Sequence, residues 1–220
     1  MKIVLHNYWR SSASTRVRIG LGLKQLAYEY VAVNIVGGAQ FADAYRAANP
    51  MAQVPTLEIT EDDGARITLT QSVAILEYLD ERWPDPPLLP RDPVARAKAR
   101  ALAELVNAGI QPLHNTSVIR RIKKMGSDEQ AWSRQAIADG LAAFARLAGE
   151  TAGAFCVGDA PTIADCCLVP QMFAARRFGV DLAAPHLAQL VEIEARCIAL
   201  PAVAAAMPDR QPDAADAVKS

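Results

Sequence analysis

Apolar residues in this chain alternate between a period of two and a helical period up to about residue 83, and only the helical period persists from about residue 93. Short apolar runs predict strands near 2–7, 28–33, 56–60 and 66–69, with helices near 12–26, 40–48 and 71–82. The order is βαβαββα. Glu61-Asp62-Asp63-Gly64 joins the last two strands as a hairpin, because Asp-Gly supplies the positive φ that a tight turn needs. In the second part Leu102, Leu105, Val106, Gly109, Ile110 and Leu113 make an apolar stripe on one long helix, which Pro112 should kink. A polar loop through Met125-Gly126-Ser127-Asp128 precedes a helix over 129–148, and further helices follow near 162–178 and 186–199. Thr162-Ile163-Ala164-Asp165 reads as a capping box at the start of one of these, a structural signal whose loss costs on the order of 1 kcal/mol.

Where the rhythm changes, Trp83 to Pro93 contains five prolines, which forbid regular hydrogen bonding and stiffen the connection. Leu88 and Leu89 suggest that this linker lies against the protein. The expected organisation is an α/β domain over 1–83, a Pro-rich linker over 84–92 and an all-helical domain over 93–208. Residues 209–220 read as a poorly ordered tail.

Composition narrows the partners. With 23 basic and 24 acidic residues the net charge is −1, so no uniform field would draw the chain to nucleic acid or to an anionic membrane. No apolar run approaches the roughly 20 residues needed to cross a bilayer, and the N-terminus lacks the apolar core of a secretion signal, so a cytoplasmic protein is expected. Cys156, Cys166, Cys167 and Cys197 show neither C-x-x-C nor zinc-ligand spacing and read as buried thiols. His6, His114 and His186 are isolated, and no metal is expected.

The candidate chemistry lies at Arg10-Ser11-Ser12-Ala13-Ser14-Thr15-Arg16-Val17-Arg18-Ile19, where a strand runs into a helix beginning near Ser12. The first backbone N–H groups of a helix lack intrahelical partners and its dipole is positive there, so a thiolate, carboxylate or phosphate is favoured. Plain capping is the competing account of Ser11, Ser12 and Ser14.

These residues, with Asn49-Pro50-Met51-Ala52-Gln53-Val54-Pro55-Thr56-Leu57 and Gln71-Ser72-Val73-Ala74-Ile75, resemble the zeta-class glutathione transferases, the family of the maleylacetoacetate isomerases. The resemblance continues through Gly109-Ile110-Gln111-Pro112-Leu113-His114-Asn115, Val157-Gly158-Asp159 and Arg177-Phe178-Gly179-Val180-Asp181-Leu182, covering nearly the whole chain. Val-Pro, Gln-Ser and the T-x-x-D box mark only the superfamily; the paired serines between Arg10 and Arg16-Val17-Arg18 are more specific. Ala13 departs from the pattern, which usually has cysteine there.

The resemblance implies a thioredoxin-like N-terminal domain, an all-helical C-terminal domain and a homodimer. It also implies glutathione as cofactor and isomerisation of maleylacetoacetate, a small dicarboxylic diketo acid, to fumarylacetoacetate in tyrosine and phenylalanine breakdown. Maleylpyruvate isomerisation, glutathione conjugation and a non-enzymatic binding module are the alternatives. A cis double bond turns only through a temporary single bond, which a thiolate can supply by reversible addition. A free thiol ionises near 8.5, and each unit of depression needs about 1.4 kcal/mol of anion stabilisation.

By resemblance Ser11 donates to the sulfur, assisted by Ser12 and the helix start. Val54 presents its backbone to the cysteinyl part across a cis bond to Pro55. Gln71 and Ser72 open a second helix and receive the γ-glutamyl carboxylate, with capping as the rival account. Gln40 serves the glycyl side, against the plainer reading of an exposed loop glutamine. Gln111 and Asn115, four apart on one helix and sharing a face, reach the ligand with Ser117, or else satisfy carbonyls freed by Pro112. Arg10 and Arg177 can clamp substrate carboxylates bidentately, although a cation before Gly179 also suits a helix end. Arg176 is expected only to complement that helix end, and Arg16 and Arg18 to shape a dimer contact or the helix surface.

Overall fold

Four strands, β1 (Lys2–Asn7), β2 (Glu29–Ala32), β3 (Thr56–Thr60) and β4 (Arg66–Thr70), pair in the order β2-β1-β3-β4. β1 runs parallel to β2, with Leu5 opposite Tyr30, and antiparallel to β3, with Leu5 opposite Leu57. The β3–β4 hairpin closes through Glu61–Gly64, where Gly64 takes φ 87°. The structure, a computed structural model, describes residues 1–217.

Alternation along β1 separates two cores. On one side Ile3, Leu5, Leu57 and Ile59 pack against Val17 and Leu21 of α1 (Ser12–Leu23) and Ile75 and Leu79 of α3 (Ser72–Arg82). Tyr8, Val33 and Val54 pack separately with Tyr45 of the short α2 (Asp43–Ala48), whose ring meets that of His6. This βαβαββα unit has the thioredoxin-like arrangement that the resemblance implies.

Leu88 to Leu200 form a second, all-helical unit. Its helices are α4 (Pro93–Glu104), α5 (Thr116–Lys124), α6 (Glu129–Ala148), α7 (Ile163–Arg177) and α8 (Ala188–Ile198). The long striped helix is broken where sequence periodicity predicts continuity. After α4 the backbone widens into a π segment, Leu105–Ile110, and tightens into a 3-10 turn, Gln111–His114. Pro112 lacks the N–H and its ring crowds the preceding turn, so regular α geometry cannot pass through it. Val106 and Ile110 stay buried, whereas Leu113 turns out to 39% exposure. Trp132 Nε1 donates to the Leu113 carbonyl at 2.9 Å, satisfying one group the break releases.

The Thr162–Asp165 start of α7 is fully internal. Asp165 accepts from the Cys156 N–H at 2.9 Å and from the Thr162 N–H and hydroxyl at 2.7 and 2.9 Å. Burial pushes its carboxyl above the ordinary aspartate range despite these donors. All four cysteines are buried free thiols. Arg176 does more than complement the end of α7: it pairs in a two-pronged contact with the buried Glu194 of α8.

Two boundaries differ from those expected. The units divide between Pro87 and Leu88, inside the Pro-rich linker: Pro86 accepts from Lys24 of the first unit, and Leu88 accepts from the Ile163 N–H of the second. Residues 201–217 belong to the α/β unit and not to the helical one. There α9 (Pro201–Ala206) packs on α1, close enough that a Cβ on Gly22 would lie 3.1 Å from the Ala202 carbonyl oxygen. Residues 209–217, expected to be part of a poorly ordered tail, continue through a 3-10 turn, Pro208–Arg210, to α10 (Ala214–Ala217). The remainder of that expectation, 218–220, lies outside the described residues.

Candidate active site

Ser11 is the N-cap of α1: its Oγ accepts from the Ser14 N–H at 3.2 Å. Capping and anion binding are therefore compatible, because the oxygen serves the helix while the hydroxyl proton stays available to an acceptor outside it. Ser11, Ser12 and Ala13 are half-buried, whereas Ser14 is fully buried and its Oγ has no hydrogen-bond partner among the described residues. Only the first two hydroxyls border solvent.

What fixes this turn is a side chain expected at the helix surface. Arg18 is 1% exposed. Its Nη2 donates to the Trp9 carbonyl at 2.9 Å and Thr15 Oγ1 at 2.8 Å, its Nη1 to Asn7 Oδ1 at 2.9 Å, and its Nε to the Ala206 carbonyl at 3.0 Å. Burial lowers its pKa to about 10, against opposing contributions from Tyr30, Tyr28 and Asp213, so it stays charged at neutral pH. Arg16 is buried too and donates to Ser72 Oγ at 3.1 Å. Neither arginine shapes the helix surface; both brace the inner side of α1. Periodicity hides them because cations on an otherwise apolar face look like solvent-facing positions. The only signal was their i, i+2 placement among apolar neighbours.

Ser72 and Gln71 begin α3, but neither side chain caps it. The Ser72 hydroxyl is held by Arg16, which ties the start of α3 to α1, while Gln71 is exposed and has φ 69°. The capping account therefore fails for both, and the first N–H groups of α3 receive no side chain from its N-cap residue. Val54 is buried, and its bond to Pro55 is cis, as the resemblance implies. Its approach is braced by the Tyr45 hydroxyl and the Asn49 amide, each donating to the Gln53 carbonyl at 2.7 Å. Burial raises the Tyr45 pKa, keeping that hydroxyl a donor. Gln40 is 7% exposed, contrary to an exposed loop glutamine; its Nε2 donates to the Ile35 carbonyl and its buried Oε1 has no hydrogen-bond partner among the described residues.

In the helical unit the break at Pro112 separates two residues expected on one helix. Gln111 starts the 3-10 turn, whereas Asn115 is the N-cap of α5, its Oδ1 accepting from the Thr116 N–H at 2.8 Å. Ser117, in the first turn of α5, is exposed. Arg177 ends α7, exposed, with its guanidinium 5.0 Å from the Phe178 ring centroid; Arg10 lies 5.3 Å from the Trp9 ring centroid.

This donor set suits a peptide thiol with carboxylate ends. It combines hydroxyls at two helix starts, the backbone of Val54 beside its cis bond to Pro55 and an amide oxygen on Gln40 without a partner among the described residues. Among the described residues no three His, Cys, Asp or Glu side chains are grouped to hold a metal ion, and no helix is long and apolar enough to cross a membrane.

Residues 5–87 match the family model of the glutathione S-transferase N-terminal domain. The chain is 45% identical to a maleylacetoacetate isomerase of Rattus norvegicus over 214 residues, 96% of this chain and 95% of that protein. The crystal structure of a maleylacetoacetate isomerase from Anaeromyxobacter dehalogenans, with glutathione bound in its active site, is similar at 51% identity and a TM-score of 0.89, covering 97% of this chain and 98% of that one. A bacterial zeta-class maleylpyruvate isomerase is similar at 41% identity and a TM-score of 0.87, covering 96% and 99%.

Proposed function

Because this chain belongs to the zeta-class glutathione transferases, the family of the maleylacetoacetate isomerases, we propose that its α1 start holds the sulfur of glutathione as a thiolate for cis-trans isomerisation of maleylacetoacetate. Bound glutathione supplies the nucleophile whose reversible addition lowers the bond order of the substrate's conjugated double bond, and it is recovered unchanged. The chain's own residues set up that chemistry. The Ser11 hydroxyl donates to the sulfur, Ser12 and the positive end of α1 add to the stabilisation, and the buried Arg18 charge lies beneath the same turn. Val54 holds the cysteinyl backbone, Gln71 and Ser72 the γ-glutamyl carboxylate, and Gln40 the glycyl end. Arg10 and Arg177 hold the two carboxylates of the substrate, and Gln111, Asn115 and Ser117 are the contributions of the helical unit.

The observation that carries this reading is the state of Ser11: its oxygen is engaged by Ser14, its proton is not, and the side chain borders solvent. A serine used as a nucleophile would need a base within reach, and among the described residues none engages it. The expected setting is cytoplasmic, in tyrosine and phenylalanine breakdown. The expected assembly is a homodimer, supported by the exposed Val36, Phe41 and Met51 of the first unit, which supply apolar surface for a second copy.

Maleylpyruvate isomerisation is the second reading, favoured by the 41% identity to such an enzyme. Rates on maleylacetoacetate and maleylpyruvate, with and without glutathione, decide between them when total glutathione is followed in parallel. A glutathione-dependent rate highest on maleylacetoacetate with full recovery of thiol is expected. Net thiol loss would indicate conjugation, and no rate on either substrate would reject isomerisation.

A further inference from the structure

The turn that presents Ser11 is held from outside α1 by the C-terminal segment. Asp213 Oδ2 accepts from the Trp9 N–H at 3.1 Å, and its Oδ1 accepts from the Tyr30 hydroxyl of β2. We propose that Asp213 is a positioning residue for the active-site turn, clamping Trp9 against β2 so that the Ser11 and Ser12 hydroxyls meet the thiolate in register.

The backbone between β1 and α1 shows why such a clamp is needed. The Tyr8 carbonyl accepts from the Ser11 N–H at 3.0 Å and from Arg18 at 3.4 Å, and the Trp9 carbonyl accepts from Arg18 at 2.9 Å. Both carbonyls therefore point inward to α1. The Trp9 N–H points the other way, beyond the reach of the strand ladder, which ends at Asn7. Asp213 meets that group. Arg18 and Asp213 thus grip the Trp9 peptide from opposite sides, and a shift of Trp9 is transmitted across Arg10 to Ser11.

The segment carrying Asp213 is anchored well enough to act as a fixed point. Arg18 Nε holds the Ala206 carbonyl at 3.0 Å, and Gln211 Nε2 donates to the Ala205 and Met207 carbonyls at 2.8 Å each. Ala202 closes against Gly22, where a side chain would not fit without displacement. Tyr30 holds the second carboxylate oxygen; burial and the bond to Asp213 raise the Tyr30 pKa, so its hydroxyl remains a donor at all working pH values. A one-ångström error in placing a reacting group costs roughly 100-fold in rate. The grip on Trp9 is accordingly part of the catalytic geometry and not only of the fold.

The inference rests on the assignment of Ser11 to the sulfur, and its test separates the two. Asp213→Ala, Asp213→Glu and Tyr30→Phe are compared with the unaltered protein for the thiol pKa of bound glutathione, the KM for glutathione, the melting temperature and amide exchange at residues 10–13. Asp213→Ala is expected to raise the bound thiol pKa by about one unit, a tenfold loss of thiolate below that pKa. It should also raise KM for glutathione and speed exchange at 10–13. Asp213→Glu should recover most of the shift, and Tyr30→Phe should give a smaller one with the Trp9 contact retained. A lowered melting temperature with unaltered thiol pKa, KM and exchange would overturn the proposal and leave Asp213 as a packing residue. Should the unaltered protein itself fail to depress the thiol, the Ser11 assignment falls. Exchange at 10–13 then still decides the clamp, unchanged rates in Asp213→Ala refuting it. If Asp213→Ala does not fold, Tyr30→Phe and Asp213→Glu carry the same readouts.

Discussion

Ser11 has two separable duties, and two substitutions pull them apart. Ser11→Ala removes the acceptor for the Ser14 N–H, a 3.2 Å bond, and removes the outward hydroxyl proton. Loss of an N-cap serine costs about 1 kcal/mol, which lowers the melting temperature of a chain this long by roughly 2–4 °C. Loss of a hydrogen bond to a charged group costs about 1.5–3 kcal/mol, so the bound thiol pKa should rise by about one to two units. Ser11→Asp keeps a capping oxygen and places a negative charge at the positive end of α1. Its melting temperature should therefore match that of the unaltered protein. For the sulfur the same variant is worse than alanine, because an anion replaces a donor, and its thiol pKa should rise further. Ultraviolet titration of the bound thiolate and thermal unfolding read the two effects independently. If both variants titrate like the unaltered protein while only Ser11→Ala loses stability, Ser11 is a cap and nothing more.

Arg177→Ala is expected to raise the apparent KM for the dicarboxylic substrate while leaving glutathione affinity alone; an unchanged KM assigns Arg177 to its packing on Phe178. Burial, the leading cause, pushes the Cys156, Cys166 and Cys197 thiols above their ordinary values, and Cys167 is equally enclosed. Thiolate is thus scarce up to alkaline pH, so a thiol-reactive dye should label none of the four in the folded protein and all of them on unfolding; rapid labelling near pH 8 would contradict this. Gly140→Ala places a Cβ 2.4 Å from Cγ1 of the buried Ile110, at the contact between α6 and the π segment. Overpacking of about 1–3 kcal/mol outweighs a helix-propensity gain of about 1 kcal/mol, so chemical denaturation should show a net loss; a stabilised variant would mean that Ile110 repacks freely.

Elements whose cause is local were readable in the residues. Strand periodicity, the Asp-Gly hairpin, the α6 helix after its Asp128 cap and the Thr162–Asp165 start all depend on neighbours a few positions away. The α4 region was misread because a continuous apolar stripe persisted through residues whose backbone cannot stay α-helical next to Pro112. A widened turn leaves Val106 and Ile110 inside while releasing Leu113, and no periodicity count distinguishes that from a kink. At the site the serines and Val54 stand out by type and order, whereas the burial of Gln40, with its bond to Ile35, runs against the plainer reading of an exposed loop glutamine and has no local signature.

By itself the sequence determined the order of strands and helices, the division near the prolines and the polar chemistry of the α1 start, all consequences of short-range geometry and side-chain type. Only the tertiary structure decided that Arg18 is enclosed, that Ser72 answers to Arg16 and that the last described residues return to the α/β unit. The partners in those contacts stand 188 residues apart for Arg18 and Ala206, 56 for Arg16 and Ser72, and 204 for Trp9 and Asp213. A buried cation or carboxylate is tolerated only where such distant acceptors and donors converge, and convergence is a property of the folded chain that no local pattern encodes.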